Sequence, residues 1–361
     1  MKFLSKHTTF LLVLVFCMIC SLPVQAQYQK YLDKADEAYI EGDYEGALKQ
    51  IEKMKKKVTK KLGAKNSYMA IALLKESKIN LELGMLNDVV PPLTDALQMS
   101  TEVNDTLSTE HAFMLNEAAE IMIQFGNFRL ADIYLTNAER VFESSGSLIE
   151  NIQSAIDVMK AQILVGKGFN QEAIQQVDDV HDYYLQRAFA TDGSRDDQEA
   201  RKAEYASLMT VKAQAYANMG DVDEATRLFY DNRNWIDDNL KKSHILYAWN
   251  TFLDVEMMKG HGLSLDAQAD YYEDAFNQGR KKYAETHWMV LLMNERLMSA
   301  LFRNEQKGKF NIVEDMYTRA IRQFDRSSYH YLARDRMELE LDMIAGDLRK
   351  VEDDLNDIDK A

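Results

Sequence analysis

The stretch Ala213-Gln214-Ala215-Tyr216-Ala217-Asn218-Met219-Gly220-Asp221-Val222-Asp223-Glu224-Ala225 decides the fold. Its first half is rich in small, helix-favouring residues, and Gly220 then stops it. Glycine accepts the left-handed conformation that ends a helix, and an Asp or Asn behind it caps the next helix with its side chain. Alanine five residues past the glycine lets the two helices approach closely. The segment therefore reads as helix, tight turn, helix. Gly42-Asp43-Tyr44-Glu45-Gly46-Ala47-Leu48 and Gly126-Asn127-Phe128-Arg129-Leu130-Ala131 repeat the same grammar. Gly42, Gly84, Gly126 and Gly168 stand 42 residues apart. Gly168 keeps its interval to Ala173, with Phe169 one position early. Ile51, Leu135 and Phe229 supply the apolar residue that closes each hairpin. One hairpin cannot bury its own apolar face, so neighbours must stack.

Beyond Gly168 the spacing loosens. Gly220 follows after 52 residues, then Gly260, Gly308 and Gly346 at 40, 48 and 38. These intervals predict about ten inserted residues near 185–202, regular units over about 28–182 and looser ones over about 203–361. Pro91-Pro92 lies where the second helix of the second unit should begin. Proline is tolerated only in a helix's first turn, so that helix is expected to start late or kink at Val90.

Composition agrees. The chain has 361 residues, 46% of them hydrophobic, a formal charge of −15, two cysteines and three prolines. Scarce proline with abundant Leu, Ala, Met, Glu and Lys favours helix throughout. The acidic balance argues against a nucleic-acid partner, which needs a basic face. Two cysteines cannot build a disulfide scaffold.

The N-terminus reads as a secretory leader over residues 1–26. Lys2 and Lys6 are its basic region, and Phe10 to Cys20 are eleven consecutive apolar residues. Val24-Gln25-Ala26 offers small residues for cleavage between Ala26 and Gln27. The apolar run is too short for roughly 30 Å of hydrocarbon. Cleavage removes both cysteines and lowers the charge by two, from −15 to −17. The mature chain, 27–361, is expected in the periplasm or outside the cell, with no membrane span. The leader is similar to bacterial ones, in particular those of Bacteroidota.

On the residues of 213–225, the chain resembles the tetratricopeptide repeat (TPR) family. The 42-residue period looks like its longer-helix variants, and Lys61-Leu62-Gly63 sits where those carry a turn between repeats. The resemblance implies an all-α solenoid of about eight hairpins, a right-handed superhelix with a concave groove for peptides or protein segments. In that family the first helix of each hairpin lines the groove with residues 13, 10, 6 and 3 before the glycine. Carried over, these are Lys78, Asn116, Glu120, Gln162, Gln214, Asn250 and Asp254. Amide side chains there suit an extended peptide backbone, since each both donates and accepts.

The search for chemistry finds little else. The mature chain has no thiol, no GxSxG elbow, no phosphate loop and no HExxH. His111, His181, His244, His261, His287 and His330 are scattered, without the i,i+3 or i,i+4 spacing of helical metal sites. No cofactor, metal or catalytic residue is expected. Lys53, Lys55, Lys56, Lys57, Lys60, Lys61 and Lys65 form a basic run that either docks an anionic surface or complements a helix end. Asp105-Thr106-Leu107 resembles an O-glycosylation triplet of Bacteroidota, which makes Thr106 a candidate. The leading expectation is a non-enzymatic secreted scaffold. The alternatives are a sensory or adaptor component with a separately encoded enzyme, and a glycan-binding module.

Overall fold

The computed structural model describes residues 28–346, apart from residues 40, 243, 323, 325 and 327. The leader, with Ala26 and Gln27, lies outside the described residues. Fifteen α-helices and no strand occur among those described. They are α1 (28–39), α2 (Tyr44–Leu62), α3 (Ser67–Glu82), α4 (Val90–Val103) and α5 (Thr109–Gln124). Then come α6 (Phe128–Ser144), α7 (Glu150–Gly166), α8 (Asn170–Ala188), α9 (Arg195–Met219) and α10 (Val222–Asn239). The last are α11 (Ile245–Met258), α12 (Leu265–Gly279), α13 (Trp288–Arg303), α14 (Lys307–Ile321) and α15 (Tyr329–Ala345).

From α3 to α14 each odd helix pairs with the next even one as a hairpin, and from α3 to α15 each first helix also packs on the first helix of a neighbouring unit. The turn chemistry follows the sequence. Gly126 takes φ 81°, and the Asn127 amide donates to the Met122 carbonyl at 2.8 Å to finish α5. The Asn127 side chain then accepts from the Leu130 amide at 3.2 Å to start α6. Asp43 and Asp221 cap α2 and α10 in the same way. Ala47, Ala131, Ala173 and Ala225, five past their glycines, are fully buried between helices. Val89 holds that place in the second unit. There α4 begins at Val90 with both prolines in its first turn, after a short 3-10 turn at Leu86–Asp88. Proline thus delays the helix without kinking it.

Two findings refine the sequence reading. Most of the inserted residues are helical: α8 runs to Ala188, residues 189–194 form a short link, and α9 reaches 25 residues. Ser194 and Asp197 form a capping box that starts α9. Secondly, Gly260 and Gly308 are not the turn residues. Gly262 takes the left-handed conformation (φ 89°), and Glu305 does so in the next hairpin (φ 55°), while Gly308 lies inside α14. The left-handed residues that end the first helices are then 220, 262, 305 and 346, spaced 42, 43 and 41, while Lys241 takes φ 85° between units. The later units keep the period of the early ones; only α9 interrupts it.

The apolar core runs around the solenoid and returns to its start. One cluster spans α3 to α7. Another joins residues of α1 to α3, such as Tyr28, Ile51 and Met69, with Phe252, Met293, Tyr317 and Phe324 from the last units. The two ends of the array therefore meet.

Candidate functional site

Counting back six residues from each left-handed turn residue gives one position per unit. In the first four units it holds Asp36, Lys78, Glu120 and Gln162, and then Gln214, Glu256, Ser299 and Glu340. Every one is half-buried. Polar contacts link neighbours along this row. Lys78 Nζ lies 3.6 Å from Glu120. Lys75 bridges Asp36 and Glu117 at 3.1 and 3.7 Å. Arg296 pairs with Glu256 at 3.3 Å, and Arg303 pairs with Glu340. Asn116, ten before its glycine, is half-buried with Oδ1 out of water and without a donor among the described residues.

Asn250 and Asp254 do not belong to this row. Asn250 is 0% exposed and Asp254 1%. Asn250 Nδ2 donates to Thr210 Oγ1 at 2.7 Å, and its Oδ1 accepts from Asn232 at 3.2 Å, joining α9, α10 and α11. Asp254 is paired with Arg233. Their placement followed from counting back from Gly260. Counting from Gly262 brings Glu256 to the position that Asp254 was given. Sequence reasoning also missed Ser299, because Glu305 stands where a glycine was sought, and passed over Asp36 and Glu340, which Gly42 and Gly346 mark.

The ends of the array close through turn backbones. Thr286 Oγ1, in the loop between α12 and α13, donates to the Gly42 carbonyl at 3.0 Å. The Tyr329 amide donates to the Gly84 carbonyl at 2.9 Å, and His330 Nε2 to the Glu82 carbonyl at 3.0 Å. A Cβ on Gly42 would sit 2.3 Å from the Cβ of Ala284, so glycine here serves close approach as well as the turn.

This seam encloses two adjoining hollows that share Gln124 and Trp288. The first, about 370 Å³, holds Lys78, Glu82 and Glu120 among Tyr39, Tyr283 and His287. The second, about 340 Å³, is mostly apolar, with Leu81, Phe125, Leu291 and Leu292. Glu82 is 1% exposed. Burial raises its pKa to about 7, against the hydrogen bond from Tyr39, the charge of Lys78 and the amide of Trp288 at the start of α13. Tyr39 Oη donates to Glu82 Oε1 at 2.8 Å, and the Tyr44 hydroxyl also meets this carboxyl. Burial holds His287 neutral, with its pKa lowered to about 4, and lowers that of His330.

Among the described residues no group of three or more His, Cys, Asp or Glu is placed to hold a metal. None of the described helices is long and apolar enough to cross a membrane. Thr106 is exposed in the turn after α4, where the Leu107 amide donates to Asp105 at 3.1 Å. The basic run lies on α2 and just after it. Lys55 pairs with Glu76, Lys65 with Glu102 at 2.7 Å, and Lys57 stands 4.9 Å from the Tyr31 ring centre. Lys53, Lys56 and Lys60 are exposed.

With the geometry in place, the solved structures decide the fold. A structure described as a Rap protein complexed with competence and sporulation factor matches with a TM-score of 0.55 at 11% identity. The match covers 93% of this chain and 87% of that one. The fold is a TPR-like α-solenoid. A structure of the apo form of RapI aligns over 92% of this chain and 87% of its own, at 8% identity and a TM-score of 0.47. No protein-family model matches the chain, and no curated protein matches it.

Proposed function

We propose that the chain is a non-enzymatic scaffold that holds a protein or peptide segment against the inner wall of its solenoid. The observation that carries this reading is the polar row. In every unit the sixth residue before the turn is half-buried and polar, from Asp36 to Glu340. The charged members of the row pair within the chain, so the reading leans on the two amides in its middle. The Rap structure, described as a complex with a factor, supports the reading that a solenoid of this kind receives a guest. The leader supports export to the periplasm or exterior as the place of action. Gln162 and Gln214, in the middle of the row, suit a guest backbone.

The test is site-specific photo-crosslinking in the native cell, with the reactive group at Gln162, at Gln214 and at Tyr230. Tyr230 is exposed on α10, a second helix. A common protein adduct from positions 162 and 214, absent at 230, is the expected outcome. Adducts at 230 alone would contradict the inner-wall assignment.

A further inference from the structure

The seven lysines from 53 to 65 find no use in the scaffold reading. That stretch carries no carboxylate, in a chain whose net charge is −15. Lysine complements the dipole at a helix C-terminus, but only over the last turn. Lys53, Lys56 and Lys57 lie deeper in α2, which ends at Leu62. Lys55 and Lys65 pair with Glu76 and Glu102 of the next unit, whereas Lys53, Lys56 and Lys60 stand exposed. Helix α1 adds to the cluster. The Tyr31 hydroxyl is held below its ordinary pKa by a hydrogen bond from Lys57, then by the charges of Lys57, Lys53 and Lys30. Ammoniums from two helices thus gather where α1 begins and α2 nears its end.

The same edge of the solenoid presents an apolar tip at four consecutive junctions between units. Leu62 is 41% exposed, Leu107 59%, Ile149 60% and Phe189 59%. Single exposed apolar residues are ordinary, but here one recurs at each junction. The junctions touch in order. Ser67 Oγ donates to Asn104 Oδ1 at 3.0 Å, and the Thr109 and Ser147 hydroxyls are 3.1 Å apart. Glu150 then meets Arg187 and the Tyr183 hydroxyl, each at 2.7 Å. Carboxylates in these turns are engaged within the chain: Asp105 accepts from the Leu107 amide, and Asp192 lies 3.3 Å from Arg201. The opposite edge is covered at the first two units, where Thr286 and Tyr329 reach the Gly42 and Gly84 carbonyls. The chain also enters the fold at the basic end of this edge. Residues 21–27 separate the apolar run of the leader from Tyr28, where α1 starts. Fully extended, that separation spans at most about 28 Å. A bilayer that engages the leader lies within this reach of the lysines.

We propose that this edge docks on an anionic phospholipid bilayer, with the lysines of the first unit among the phosphates and the four apolar tips at the acyl boundary. Charge supplies long-range attraction and the tips supply apolar burial, the two signals that a stable peripheral contact combines. The edge is distinct from the inner wall, so the proposal goes beyond the scaffold reading and does not depend on it. A glycan on Thr106 would hold Leu107 off the bilayer, so those two uses of the turn exclude each other.

Sedimentation of residues 27–361 with vesicles tests this. That length keeps every described residue and omits the apolar run, which would bind lipid by itself. The probes are vesicles of phosphatidylcholine alone and of phosphatidylcholine with about 30% phosphatidylglycerol. Binding to the anionic vesicles should be at least about tenfold tighter and should weaken as salt rises. The variant carrying Lys53→Gln, Lys56→Gln, Lys57→Gln and Lys60→Gln should lose about 100-fold in affinity. Leu107→Ser with Ile149→Ser, which changes no charge, should lose about tenfold with the helical circular dichroism unchanged. Emission from Ile149→Trp, relative to the parent chain, should shift to the blue on the anionic vesicles. Equal binding to both vesicles, or binding to neither, would overturn the proposal. Loss in the lysine variant without loss in the serine variant would also overturn it, leaving α2 as a dock for a soluble polyanion. Loss of inner-wall crosslinks with vesicle binding retained would sink the scaffold reading alone.

Discussion

At the residue scale, two polar side chains show how a shift of register changes a role. Asn250 belongs to a buried network with Thr210 and Asn232. Gln214 sits half-exposed on the row. Truncating Asn250 removes its buried hydrogen bonds to Thr210 and Asn232, at a cost of about 1–3 kcal/mol. Truncating Gln214 removes none and should change stability by no more than about 0.5 kcal/mol. Urea denaturation of Asn250→Ala and Gln214→Ala reads the difference directly. Equal midpoints for the two variants would place Asn250 back on an open wall. Asp254 is a parallel case. Its partner Arg233 has 12% side-chain exposure, so removal of the carboxylate leaves a cation with little water around it.

At the element scale, the hairpin was legible because its physics is local. A glycine that must be left-handed, a capping Asp or Asn and a buried alanine five places on are all visible in a one-dimensional string. Each is found in place at Gly42, Gly126 and Gly220. Legibility ended where another residue took the left-handed position. Glu305 does so at φ 55°, and nearby Gly308 drew attention because glycine is the usual occupant. The site suffered more than the fold. The existence of a hairpin survives an error of two residues, whereas a face of a helix turns by more than half a circle over two residues. Gly126 has open space around its Cα, so alanine there meets only the backbone penalty of about 1–2 kcal/mol. Gly308 is helical and equally unobstructed, so Gly308→Ala should stabilise by up to about 1 kcal/mol. Thermal unfolding of both variants checks the register. Destabilisation by Gly308→Ala would mean that the turn lies at 308 after all.

At the scale of the whole molecule, the ends of the array meet, and nothing in the sequence announced it. Closure joins residues more than 240 positions apart, such as Gly42 with Thr286 and Glu82 with His330. Small rotations between successive hairpins set where the last unit arrives, and those rotations are sums over many side-chain contacts. Closure forms two hollows along the seam and buries Glu82. The account rests on that closure more than on any single residue.

The Tyr329 amide tests it most directly. It is the first residue of α15, where an amide has no partner within its own helix. Its acceptor is the Gly84 carbonyl, 2.9 Å away and across the seam. Hydrogen exchange followed by NMR on the protein should find this amide protected alongside the core of α13. Exchange at the rate of an open loop, with α13 still protected, would show that the solenoid is open in solution and would contradict the account.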